Sequence, residues 1–212
     1  MCVVASLLVV HAAGRAGADG DRCERFAAAS ADRARSEAGT GARTVVIGDS
    51  WSAGLGLDRP DGSWPSRLSG TVHVAGFSGS GFSAGASTCR GVAFADRAPG
   101  ALRGGADLAV VQGGLNDVDR PDAEIRDGFA RLMRELRGYR VVVVGPASAP
   151  ARADWVPRVD EQLAALAQRH GAAYVRTSGL RLPYLDDRLH LTPAGHEQFG
   201  DFVAEQIQKL SS

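Results

Sequence analysis

The chain has 212 residues, enough for one domain with a substantial buried core, and 44% of them are hydrophobic. Its 24 basic and 24 acidic residues cancel. No basic stripe runs along it, which argues against nucleic acid or an anionic membrane surface as a partner.

The first residues read as an export leader. Residues 2–10 are apolar, His11-Ala12-Ala13 extends the run, and Ala16-Gly17-Ala18 offers small residues for cleavage. The run falls short of the roughly 20 residues a membrane span requires, so no integral span is expected in the mature chain. No Lys or Arg precedes it. The competing reading is an apolar helix packed on the domain. The expected organisation is a signal peptide over residues 1–18 and a single domain over 19–212, secreted or held in the cell envelope. Cys2 would leave with the leader. Cys23 and Cys89 remain, either as free thiols or as one disulfide of an oxidising compartment. Such a bridge closes a long loop and contributes about 4 kcal/mol. There is no CxxC or Cys/His cluster, so no metal site is expected.

Residues 21–37 are polar and Ala-rich, with Gly39 and Gly41 behind them, which predicts a helix with a glycine stop. Five apolar runs then predict strands at 44–47, 72–75, 108–111, 141–144 and 172–175. They are continuous, not alternating, as in strands buried on both faces. Helical stripes lie between and after them. One is formed by Ile125, Phe129, Leu132, Met133 and Leu136, another by Val159, Leu163 and Leu166, and a last by Phe199, Phe202, Val203 and Leu210. Strands alternating with helices predict a parallel sheet covered on both faces. The Gly-rich stretch 76–91 is the longest irregular candidate.

Four segments can each supply one part of an acyl-transfer site. Gly48-Asp49-Ser50 follows the first strand and places a hydroxyl at the carboxyl edge, where open α/β sheets bind ligands. Read alone, Ser50 is equally a helix N-cap. Asp187-Arg188-Leu189-His190 follows the last strand. A carboxylate three residues before a histidine can fix its tautomer and leave Nε2 free to take a proton. Alone it is a surface histidine near a helix start. Gly114-Leu115-Asn116-Asp117 follows the third strand and offers a side-chain N–H to a developing oxyanion; alone it is an ordinary turn. Gly76-Phe77-Ser78-Gly79-Ser80-Gly81 follows the second strand, where a glycine lets a backbone N–H approach the reacting oxygen. It matches neither phosphate-loop pattern.

These segments, in this order, resemble the SGNH or GDSL-type hydrolase superfamily, with Gly-Asp-Ser, a glycine, Gly-x-Asn-Asp and Asp-x-x-His as its four blocks. The resemblance spans residues 48–190. It implies Ser50 as nucleophile, His190 as base, Asp187 as its orienter, and an oxyanion hole from the N–H groups of Ser50 and Gly79 with the Asn116 side chain. Gly76 and Gly81 compete with Gly79. It implies a flavodoxin-like three-layer α/β/α sandwich with strand order 2-1-3-4-5, and a serine esterase that needs no cofactor. A carbohydrate O-deacetylase or acyltransferase would use the same site, and a non-catalytic α/β binding module is the alternative from another class. The expected partner is a small-molecule, carbohydrate or lipid ester, and the expected state a monomer.

Two departures stand out. Trp51 occupies a position where many members have leucine, and Val74-Ala75 precedes Gly76 where an asparagine is common. Trp51 either packs the first helix or shapes the acyl pocket. Among the other histidines, His11 falls in the leader, His73 in a strand and His170 at a helix end. His196 is the rival base, with Pro193 where an acid would have to be. Asp49 and Asp117 are read as loop-holding carboxylates, and Trp155, within the stretch 146–157, as a cleft wall or a hydrophobic cover.

Overall fold

The structure, a computed structural model, describes residues 2–210, with side chains from residue 18 onward. A long helix α1 (Cys2–Arg35) precedes β1 (Arg43–Gly48), a one-turn helix α2 (Ser50–Ala53) and β2 (Thr71–Gly76). Then follow α3 (Phe94–Ala101), β3 (Leu108–Gln112), α4 (Asp122–Glu135), β4 (Val141–Val144), α5 (Val156–Arg169), β5 (Ala173–Val175) and α6 (Pro193–Lys209). Short 3-10 turns occupy Pro60–Gly62, Trp64–Arg67 and Leu115–Asp117.

The strands form one parallel sheet in the order β2-β1-β3-β4-β5. The valine-rich runs explain it. Side chains alternate between the faces of a strand, so apolar residues at successive positions supply both. Val45, Ile47, Ala109, Val111 and Val143 pack into one core with α3, α4 and α5. Val46, Val110, Val142 and Val144 pack into the other, with Trp51, Trp64 and Phe199. From β1 the chain goes to β2 on one side, then returns past β1 to β3 on the other. That reversal opens a crevice at the carboxyl ends of β1 and β3, where such sheets bind ligands.

Three features differ from the sequence expectations. Strand β2 is not buried on both faces: its burial alternates, because it lies at the sheet edge. The first helix runs back from Arg35 to Cys2, rather than beginning near residue 21. Helix α3 was not legible, because Pro99 and Gly100 lie within its eight residues. It is held by Phe94, which packs edge-on against Phe82 at 4.9 Å. Of the two thiol readings, the bridge is the one present: Cys23 is joined to Cys89, with 5.5 Å between Cα atoms. Among the described residues, no helix is long and apolar enough to cross a membrane.

Candidate active site

Strand β1 ends at Gly48, where a Cβ would lie 2.0 Å from Ser52 Oγ. A side chain here would collide with that of Ser52, so glycine lets α2 pack close against the end of β1. The Trp51 N–H donates to Asp49 Oδ1 at 2.9 Å, so Asp49 rather than Ser50 caps α2. The Ser50 side chain is released from capping. Its own N–H sits in the first turn, where a helix has no internal acceptor.

The segment carrying His190 is a tight loop closed by its own backbone. Leu185 N–H donates to the His190 carbonyl and Arg188 N–H to the Leu185 carbonyl, both at 2.8 Å. Arg188 adopts a φ of 58°, the left-handed conformation this turn requires. Asp187 Oδ1 accepts the Leu189 and His190 N–H groups, each at 2.9 Å. Its Oδ2 lies 2.5 Å from His190 Nδ1. Desolvation pushes the Asp187 carboxyl upward, but the bonds from His190 and the two N–H donors prevail and hold it at about 2. Asp187 is therefore ionised, which fixes the proton on Nδ1. On the far side of the ring, His190 Nε2 lies 3.1 Å from Ser50 Oγ. With the proton on Nδ1, the Ser50 hydroxyl donates to Nε2.

The loop after β2 brings Gly79 to the same place, and the three candidate glycines separate there. A Cβ on Gly76 would lie 2.5 Å from Ala53 N, and one on Gly81 would lie 2.4 Å from Asp117 Oδ2. Both are glycine for close packing. Gly79 has a φ of 80° and open surroundings, with Ser87 Oγ the nearest atom at 3.8 Å. It lines the cleft with Ser50, Asn116 and His190. Asn116 Nδ2 donates one N–H to the Ser80 carbonyl at 2.9 Å, which orients the amide and leaves its second N–H uncommitted among the described residues. Asp117 is buried and accepts the Phe82 N–H at 3.1 Å and the Ser83 N–H at 2.8 Å. It holds this loop, and burial pushes its carboxyl up to about 6.

Several supporting groups were missed in the sequence. Arg97 of α3 donates from Nη2 to the Gly48 carbonyl at 2.9 Å and Ser80 Oγ at 3.0 Å, and from Nη1 to the Ala75 carbonyl. One guanidinium thus ties together the ends of β1 and β2 and the Gly79 loop. Burial lowers its pKa to about 10. Behind Ser50 runs a buried polar chain. Trp64 Nε1 donates to Ser52 Oγ at 3.1 Å, Ser52 donates to Gln112 Oε1 at 2.7 Å, and Gln112 is bonded to Asp49. Burial pushes the Asp49 carboxyl up to about 6. Trp51 Nε1 donates to the Leu189 carbonyl at 3.1 Å. Helix α2 is thereby joined to the His190 loop, while the indole packs edge-on against Phe199.

The other candidates lie elsewhere. His196 is buried on α6, where its Nδ1 accepts the Trp64 N–H at 3.3 Å and its Nε2 has no partner among the described residues. Burial lowers its pKa to about 4. Trp155 is 51% exposed at the start of α5 and is no hydrophobic cover, nor does it line the cleft around Ser50. That cleft has a volume of about 270 Å³. Among the described residues, no cluster of His, Cys, Asp or Glu is arranged to hold a metal ion.

A carboxylate, an imidazole and a hydroxyl are hydrogen-bonded in succession. The imidazole can take the hydroxyl proton as oxygen attacks an electrophile, while N–H groups beside it receive the negative charge that develops. The model of the GDSL-like lipase/acylhydrolase family matches residues 46–198. No curated protein matches the chain in sequence. Solved structures match its fold. An aryl esterase of M. smegmatis is 20% identical with a TM-score of 0.64, covering 80% of this chain and 100% of that one. Est24, a carbohydrate acetylesterase from Sinorhizobium meliloti, is 18% identical with a TM-score of 0.65, covering 80% and 100%. The psychrotrophic esterase EstA from Pseudoalteromonas sp. is 15% identical with a TM-score of 0.65, covering 81% and 99%.

Proposed function

The chain belongs to the GDSL-like lipase/acylhydrolase family and is an ester hydrolase, and we propose that it works as a serine esterase through Ser50, His190 and Asp187. The observation that carries this reading is the unbroken line from Asp187 Oδ2 to His190 Nδ1 at 2.5 Å and from Nε2 to Ser50 Oγ at 3.1 Å. Ser50 Oγ attacks the ester carbonyl carbon as its proton passes to His190 Nε2. The carbonyl oxygen becomes an oxyanion, held by the N–H groups of Ser50 and Gly79 and the free N–H of Asn116. The tetrahedral centre then collapses, and His190 returns the proton to the departing alcohol. Water, deprotonated by the same imidazole, attacks the acyl-Ser50 carbonyl, and as the second tetrahedral centre collapses His190 returns that proton to Ser50 Oγ and the acid departs. Asp187 holds the ring in one tautomer throughout and stabilises the imidazolium.

Each step uses a group this chain supplies, so neither a metal nor an organic cofactor has a part in it. Hydrolysis of p-nitrophenyl esters by wild type, Ser50→Ala and His190→Ala tests the reading. Loss of several orders of magnitude in kcat in both variants supports it. Full activity in either overturns it.

A second reading, sugar O-deacetylation or acyl transfer to a sugar, draws on the polar side of the cleft, where Ser87, Thr88 and Asn116 face the same space as Ser50. Carbohydrate acetylesterases are among the proteins of similar fold. Release of acetate from acetylated sugars at a higher kcat/KM than from p-nitrophenyl acetate would favour it. The proposed setting is extracytoplasmic, reached by a leader over residues 1–18. Its support is the Cys23–Cys89 bridge, since disulfides form and persist in oxidising compartments and are rare in reducing ones. Because the relay is complete within one chain, the proposed working unit is a monomer.

A further inference from the structure

Helix α1 lies outside the residues that the family model matches, which begin at 46. It nevertheless reaches the cleft. Arg22, Phe26, Ser30 and Arg33 recur at helical spacing and face the domain, while Glu24 and Arg25 face solvent. Four contacts fix this face. Cys23 is bonded to Cys89, and Arg22 Nη2 donates to Thr88 Oγ1 at 2.9 Å. Phe26 packs edge-on against Phe77 at 6.2 Å, and Arg33 Nε donates to Ser63 Oγ at 3.4 Å. All of these residues follow Ala18, so removal of residues 1–18 would leave them in place.

Arg22 and Phe26 line the same cleft as Ser50 and His190. The apolar side chains lining that cleft include Phe26, Leu55, Ala86 and Leu189. The acyl chain of an ester is apolar, and apolar surface is driven to apolar surface. We propose that the stretch of α1 around Phe26 is the acyl-side wall of the site, and that it limits the enzyme to esters of short acyl chains. The wall is held rigid by the Cys23–Cys89 bridge and the Arg22–Thr88 bond on one flank and by Phe77 beneath. This inference rests on the esterase reading and adds the substrate class.

The test compares kcat/KM for p-nitrophenyl butanoate and octanoate in the oxidised protein, with fluorophosphonate labelling of Ser50 run on every variant. Phe26→Ala opens the wall and is expected to raise the octanoate-to-butanoate ratio about tenfold or more, the low end of what one methylene decides in an apolar pocket. Phe26→Trp fills the cleft and is expected to lower the ratio. Arg25→Ala, on the solvent face, is expected to leave the ratio at the wild-type value. Where Phe26→Ala does not fold, Phe26→Trp carries the test. A variant that merely loosened the Gly79 loop would slow both esters alike, so labelled protein with an unchanged ratio overturns the wall. A change seen only when the alcohol is varied at constant acyl group overturns its acyl-side assignment. Wild type that does not label Ser50 overturns the esterase reading beneath, and the wall with it.

Discussion

Trp51 and Leu189 are separated by 138 positions, yet the indole Nε1–H of one donates to the carbonyl of the other at 3.1 Å. The residue that follows Ser50 therefore grips the residue that precedes His190. Relay geometry depends on keeping these two segments in register, because displacement of about 1 Å can cost on the order of 100-fold in rate.

Trp51→Phe is expected to keep the edge-on packing against Phe199 and to lose this bond. With the Leu189 carbonyl left without its donor, stability should fall by about 1–3 kcal/mol. The expected drop in kcat/KM is about tenfold. Urea unfolding and p-nitrophenyl ester kinetics measure the two effects, and an unchanged kcat would show that the bond does not position His190.

Arg97 offers a second structural test. Replacing it with Met removes the donors to the Gly48, Ala75 and Val92 carbonyls and to Ser80 Oγ. The Gly48 carbonyl keeps the Phe77 N–H as a donor, but bonds from a charged donor are worth about 1.5–3 kcal/mol each, so the expected loss is about 3 kcal/mol or more. Arg97→Lys is not expected to restore it, since a single ammonium cannot reproduce the planar fork. Chemical denaturation of both variants decides this, with equal stability of Lys and Arg as the contrary outcome.

The buried ionisable groups give a signed pH dependence. The carboxyls of Asp49 and Asp117 are raised by burial from 3.8 to about 6. For each, the folded state binds the proton more tightly, so the contribution to stability is fully present below the unfolded value and is lost as pH rises through 6. His196 works the other way: burial lowers it from 6.5 to about 4, so its contribution is lost as pH falls below 6.5. Asp49→Asn should therefore make stability fall more steeply between pH 6 and 4, and His196→Gln less steeply. Thermal melts across that window check the two slopes. Parallel curves for wild type and variants would contradict the assignment.

The Cys23–Cys89 bridge spans 66 positions. Loop-closure entropy for that length gives about 4 kcal/mol. A Cys23→Ser/Cys89→Ser chain should unfold at a correspondingly lower urea concentration, and reduction of the wild type should move it to the same place. Coincident curves for the oxidised and reduced wild type would show that α1 is held by its packing alone.

The parts of the fold and the site that were legible in the sequence share a physical character: they are local. A run such as Val141–Val144 reads as a buried strand because four β-branched side chains in succession suit little else. Gly48-Asp49-Ser50 and the Asp187 to His190 spacing are short patterns whose geometry is set within a turn. The missing parts depend on distant partners. Arg97 sits in a short helix interrupted by Pro99 and Gly100, and its role appears only when the ends of β1 and β2 meet it. Gln112 reads as the end of a strand, and its bonds to Ser52 and Asp49 need β1 and β3 side by side. Of the two readings of Trp51 the structure shows packing, against Phe199, yet its N–H has a second task that no spacing encodes. The stripe of Arg22 and Phe26 was available in the sequence, but a single aromatic on a polar helix gives no hint of what it faces.

The central claim is that Ser50 is the nucleophile, activated by His190. A fluorophosphonate probe followed by peptide mass spectrometry tests it most directly. The expected result is one covalent adduct on the peptide containing Ser50 in the wild type, none in Ser50→Ala, and greatly slowed labelling in His190→Ala. An adduct on any other serine, or undiminished labelling of Ser50→Ala, would contradict it.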